Sequence, residues 1–145
     1  MLRTTLITGF PGETKEQHEE LCRFINEIEF NRLGVFTYSQ EEGTPAARME
    51  GQIDEETKLD RRDELMELQQ EISADLLSRM VGREVECMIE GQAAGESVYV
   101  ARSYGDAPDV DGYIFINTDE NLMTGDFARV KITSASDYDL TGELV

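Results

Sequence analysis

The chain has 145 residues, 39% of them hydrophobic and 30% charged, a composition suited to one ordinary domain or two small globular units. A net charge of -18, from 31 acidic and 13 basic side chains, repels phosphate backbones and attracts basic partners. No apolar run approaches the roughly 20 residues needed to span a bilayer. Met1 to Phe10 lacks a signal-peptide pattern. The two cysteines, Cys22 and Cys87, are too far apart to suggest a disulfide framework or a metal knuckle, so the expectation is a reduced, cytoplasmic setting with no metal site.

In chain order, Leu2 to Thr8 is β-prone and nearly continuously apolar, which predicts a buried parallel strand. Gly9-Phe10-Pro11-Gly12 predicts a tight turn. Thr14 and Gln17 have capping-box spacing, with Glu16 in the first turn of a helix running to about Glu29. That helix places Leu21, Phe24 or Ile25, and Ile28 on one face. Gly34 to Tyr38 completes a βαβ unit. Two parallel strands leave open edges, so residues 1 to 53 are expected to be the last piece of a larger α/β domain, with Met1 an interior point of that fold. Self-association through the exposed edges follows as a further expectation.

Ser39 to Ile53 is polar and glycine-containing, and is expected to form a loop. Asp54 caps a predicted helix from Glu55 to Met80, with an apolar stripe of Leu59, Leu65, Leu68, Ile72 and Leu76 supported by Met66 and Leu77. The connecting segment is taken as residues 54 to 82, ended by Gly82. From residue 83 to 145 the period shortens to that of strands: Val85, Cys87 and Ile89, then Val98 and Val100, Tyr113 and Phe115, Phe127 to Ile132, and Tyr138 to Val145. Gly91, Gly95, Gly105, Gly112, Gly125 and Gly142 punctuate them. Five short strands predict a small closed barrel, since closure hides sheet edges.

Few single residues carry chemistry by themselves. His18, the one histidine, lies in a polar stretch of helix and is expected to be solvated or locally hydrogen-bonded. Cys22 and Cys87 lack the charged context of a nucleophile. The Gly9–Gly12 turn lacks the Gly-Lys-Ser/Thr ending of a P-loop. Glu41 and Glu42 have no histidine or metal cluster to make them a hydrolytic pair. In the barrel segment the bases are Arg83, Arg102, Arg129 and Lys131 against thirteen acidic side chains. Tyr99, Tyr104, Tyr113, Phe115 and Phe127 supply rings, but the charge opposes nucleic acid and suits a basic protein.

Several stretches together resemble one family: Thr5-Leu-Ile-Thr-Gly-Phe-Pro-Gly-Glu-Thr14, Gly34-Val-Phe-Thr-Tyr-Ser39, Glu41-Glu-Gly-Thr-Pro-Ala46, Leu68-Gln-Gln-Glu-Ile-Ser73 and Ala107-Pro-Asp-Val-Asp-Gly112. The family is the radical-SAM methylthiotransferases, and the resemblance covers essentially the whole chain. The ending Tyr138-Asp-Leu-Thr-Gly142 resembles the subfamily that methylthiolates the β-carbon of an aspartate in a small-subunit ribosomal protein. The resemblance implies an α+β fragment: a βαβ piece of a radical-SAM partial TIM barrel, a long linking helix, and a five-stranded antiparallel, OB-like TRAM barrel. It implies an intact enzyme using two [4Fe-4S] clusters and S-adenosylmethionine. This chain departs from the family pattern in having no Cys-x3-Cys-x2-Cys run, so no cofactor is expected on it alone and it should be inactive by itself.

On that resemblance, Gly9, Phe10, Pro11, Gly12, Glu13, Phe36 and Tyr38 are expected to line the S-adenosylmethionine pocket of the intact enzyme. Asp106, Asp109, Asp111, Asp119, Glu120 and Asp126 are expected to form an acidic docking surface for the ribosomal protein. The missing domains of the same enzyme are expected partners, whereas nucleic acid and membranes are not. A tRNA-binding part of a tRNA methylthiotransferase and a purely structural acidic domain stand as rival readings.

Overall fold

The computed structural model describes residues 1–93 and 97–145; Gly95, expected to punctuate two strands, lies outside the described residues. The chain divides into two compact units, Met1–Ile72 and Ser73–Val145.

In the first unit, strand β1 (Arg3–Thr8) and strand β2 (Arg32–Thr37) pair in parallel through helix α1 (Lys15–Ile28), in a register that sets Ile7 beside Phe36. The helix begins where the sequence predicts. The Thr14 side chain accepts from the Gln17 amide and the Gln17 side chain accepts from the Thr14 amide, so two otherwise unpaired donors are satisfied reciprocally. It ends at Glu29, whose left-handed backbone lets its amide bond Ile25 O and stop the helix. The predicted loop contains a single 3-10 turn, Ala46–Arg48. Asp54 then accepts from the Thr57 amide at 2.8 Å and starts helix α2 (Glu55–Ser78).

Two expectations about burial change in this unit. The run Leu2–Thr8 suggests a strand covered on both sides, yet only Thr8 is buried, and Arg3, Thr5 and Ile7 are exposed. The described sheet has two strands and covers one face, so alternate side chains of an apolar run are left in solvent. The stripe of α2 is the expected one at Leu65 and Ile72, which are buried, and at Leu68 and Leu76, which are half-buried, but not throughout. Leu59 is exposed, and the fully covered positions are Lys58, Leu65, Gln69, Ile72 and Ser73. Apolarity misses this face because its polar members make specific bonds: Lys58 Nζ donates to Tyr38 O and to Glu55, and Gln69 Nε2 donates to Phe30 O.

The second unit is a closed barrel of β3 (Glu84–Gln92), β4 (Val98–Ser103), β5 (Ile114–Asn117), β6 (Phe127–Ala135) and β7 (Leu140–Leu144), in the order β3-β4-β5-β7-β6. Four pairings are antiparallel; β5 and β7 pair in parallel, which is possible because β6 intervenes in sequence. The interior is Cys87, Ile89, Tyr99, Ala101, Ile114, Ile116, Val130, Ile132 and Leu140, with Leu77 and Met80 packed against it. The phase of two strands is the opposite of that suggested by Val98/Val100 and Tyr113/Phe115. Tyr99 and Ala101 point inward in β4, and Ile114 and Ile116 in β5. Both phases of these segments are apolar, so alternation cannot choose between them.

Candidate functional site

The turn after β1 brings most of the expected cofactor-lining residues together. Phe10, Pro11, Gly12 and Glu13 line an open depression with Gln17. The Phe10 ring meets Tyr38 edge-on at 5.4 Å, and the Tyr38 amide is tied to Thr8 O. Phe36 stands apart from this contact, 64% exposed near the end of β2. Gly9 has φ +78°, and a Cβ there would overlap the side-chain methylenes of Lys58. Only glycine satisfies both conditions.

Glu13 lines the depression and also braces the turn. Its carboxylate accepts from the Gly9 amide through both oxygens, from Thr8 Oγ1, and from Arg61 at 2.7 Å. Glu13 and Arg61 are each 14% exposed at the side chain, so the pair locks the turn onto α2. The Gly12 amide bonds Gly51 O, and the Glu13 amide bonds Phe10 O. These amides are thus consumed by the turn itself. Beside the depression stand the Phe10 ring and, in contact with it, the Tyr38 ring, whose buried hydroxyl has no hydrogen-bond partner among the described residues. That chemistry fits one wall of a site for a ligand with an aromatic and a polar part, such as S-adenosylmethionine. It does not fit an iron–sulfur cluster, because the chain's cysteines are two in number and sit in different units.

The six acidic barrel residues separate into two kinds. Asp106 accepts from the amide and hydroxyl of Ser103, Asp111 from the Ala107 amide at 2.6 Å, and Asp126 from the Met123 amide at 2.9 Å. These three shape their own turns. Asp109, Asp119 and Glu120 are exposed. On the outer wall, Val100 of β4 lies opposite Phe115 of β5, whose ring meets Tyr113 at 6.3 Å. This half-buried aromatic face comes from the same phase that alternation had assigned to the interior.

Of the two expectations for His18, local hydrogen bonding holds, through Cys22 one turn along, and solvation does not. His18 is buried rather than solvated, and its Nε2 lies 2.7 Å from Oε2 of Glu64 on α2 and 3.6 Å from Sγ of Cys22. No pattern within α1 announces this, since Glu64 lies 46 residues away. Burial, and next the Glu64 carboxylate, push the Cys22 thiol above its ordinary value.

A five-stranded closed barrel follows a βαβ unit and a long helix, and residues 81–145, which contain that barrel, match the TRAM domain family. Along nearly its whole length the chain is, more particularly, similar to RimO proteins. It is 52% identical to the ribosomal protein uS12 methylthiotransferase RimO of Lachnoclostridium phytofermentans, over 97% of this chain and 32% of that protein. It is 53% identical to that of Pelotomaculum thermopropionicum, over 100% of this chain and 33% of the relative. The protein of the same description from Desulfitobacterium hafniense is 50% identical over 99% and 32%. The chain therefore spans about one third of the length of the curated relatives it matches. Among solved structures, the apo form of Mycoplasma genitalium RNase R superposes with a TM-score of 0.32 at 16% identity, over 62% of this chain and 17% of that one, too loosely to bear on function.

Proposed function

We propose that the chain is the substrate-recognising part of a ribosomal-protein methylthiotransferase, whose intact form places a methylthio group on the β-carbon of an aspartate in ribosomal protein uS12. The observation that carries this reading is identity of 50–53% with curated RimO proteins over 97–100% of the chain. In it, residues 1–53 belong to the radical-SAM domain, 54–82 connect, and 83–145 are the docking barrel. Reductive cleavage of S-adenosylmethionine and sulfur insertion belong to the two [4Fe-4S] clusters, whose ligands lie in the rest of the enzyme, and the chain alone is inactive. The turn residues Gly9, Phe10, Pro11, Gly12 and Glu13, with Phe36 and Tyr38, form one wall of the S-adenosylmethionine site, and Glu13 also holds the turn's shape.

The barrel's part is electrostatic and apolar together. Asp109, Asp119 and Glu120 supply exposed charge, while Asp106, Asp111 and Asp126 add negative potential from within their turns. Opposite charge steers a basic ribosomal protein toward this surface, and the aromatic outer face gives it something to bury. The same charge opposes tRNA. No helix among the described residues is long and apolar enough to cross a membrane, and the reading places the enzyme in the cytoplasm, where its substrate is made.

The test is binding of the chain to purified uS12, beside tRNA, at low and at physiological salt. Saturable binding of uS12 that persists at physiological salt, without comparable RNA binding, is the expected result. Preference for tRNA would overturn the protein-docking reading, and binding to neither would assign the barrel to packing within the enzyme.

A further inference from the structure

We propose that His18, Cys22 and Glu64 form a binding site for a transition-metal ion of the zinc class, clipping α1 to α2. This does not depend on the function proposed above. His18 and Cys22 are four residues apart on α1 and therefore share one face, and Glu64 reaches them from α2. The three ligand atoms, Nε2, Sγ and a carboxylate oxygen, all lie within 4.8 Å of one another. With zinc bonds of about 2.0 Å to nitrogen and oxygen and about 2.3 Å to sulfur, a tetrahedral ion sets its nitrogen and sulfur ligands about 3.5 Å apart and its nitrogen and oxygen about 3.3 Å apart. The observed Nε2···Sγ separation is 3.6 Å, and Nε2···Oε2 is 2.7 Å, the distance of the hydrogen bond an entering ion would replace.

Burial and mobility are arranged to suit this. His18 is 5% exposed, so its ring is held in place, whereas the Glu64 side chain is 61% exposed and free to draw back by the few tenths of an ångström required. Imidazole, thiolate and carboxylate together are the mixed donor set of a borderline-soft divalent ion, and three protein ligands leave a fourth position for water or another ligand. Binding forms bonds from the ion to N, S and O and releases the thiol proton of Cys22 to solvent. The proton that Nε2 shares with Glu64 passes by solvent exchange to Nδ1, so the bound imidazole stays neutral; Nδ1 has no hydrogen-bond partner among the described residues.

The experiment titrates cobalt(II), a spectroscopic substitute for zinc, into the chain kept reduced with a phosphine. The expected result is saturation at one equivalent with a thiolate-to-cobalt charge-transfer band in the near ultraviolet, reversed by zinc. Cys22→Ser should abolish the band and Cys87→Ala should keep it. Glu64→Gln, at an exposed position that leaves the fold intact by circular dichroism, should weaken zinc binding by about tenfold or more, as losses around metal sites commonly do. Absence of the band at saturating cobalt, its survival in Cys22→Ser, or unchanged zinc affinity in Glu64→Gln would each overturn the proposal. Should Cys22→Ser fail to fold, the Glu64→Gln comparison decides alone.

Discussion

Cys87 sits on β3 with no exposed surface, and burial, assisted by Asp106 and Glu86, pushes its thiol up to about 11 from an ordinary value near 9. A raised pKa means that the folded barrel holds this proton more tightly than the unfolded chain does. The associated stability is present below pH ~9 and is lost as pH rises through about 11. At pH 8 a thiol reagent should therefore modify Cys22 first and leave Cys87 untouched until denaturant is added. Simultaneous loss of both thiols in native buffer would contradict the burial of Cys87. Gly142 offers a second test at the same scale. A side chain there would run into Val130 and the Lys131 carbonyl, and these belong to the neighbouring strand β6. Gly142→Ala should lower barrel stability by about 1–3 kcal/mol, read from the shift of its urea midpoint.

At the scale of elements, legibility followed the kind of signal each segment carries. The capping box at Thr14 and Gln17 and the Asp54 cap are local hydrogen-bonding devices, and both are present where the sequence places them. The barrel's closure was legible from strand number and glycine spacing. The phases of β4 and β5 were not, because Val98-Tyr99-Val100-Ala101 and Tyr113-Ile114-Phe115-Ile116 are apolar on both faces. The turn that carries the cofactor-lining candidates was visible as glycine and proline. The role of Glu13 in bracing that turn depends on Arg61, 48 residues later, and no local pattern reveals it. Helix α2 shows the same limit, since Lys58 and Gln69 are buried by partners distant in sequence. A paired substitution tests that face: Leu65→Ala, at a position with no exposure, should cost about 2–5 kcal/mol. Leu59→Ala, at an exposed position, should fall within about 0.5 kcal/mol of the parent in the same denaturation experiment.

For the molecule as a whole, charge and apolar exposure act in opposition. A net charge of -18 keeps copies apart at low salt. Yet Ile7 and Phe36, neighbours across the β1–β2 pair, are 61% and 64% exposed, and Leu2 is exposed as well. The two-stranded sheet also leaves the outer edges of β1 and β2 without strand partners among the described residues. Exposed edges beside an apolar face are a template for pairing with another chain. Adding salt screens the repulsion over about 8–10 Å without weakening the apolar attraction, so self-association should rise with ionic strength. Sedimentation velocity at increasing protein concentration, in low and in physiological salt, measures this directly. The double substitution Ile7→Lys with Phe36→Lys places charges on the open face while leaving the covered residues Leu33 and Val35 untouched, and should return the chain to a monomer. Association that persists in the double variant would show that copies meet through another surface, and a parent chain that stays monomeric at every salt concentration would show that repulsion outweighs the exposed sheet.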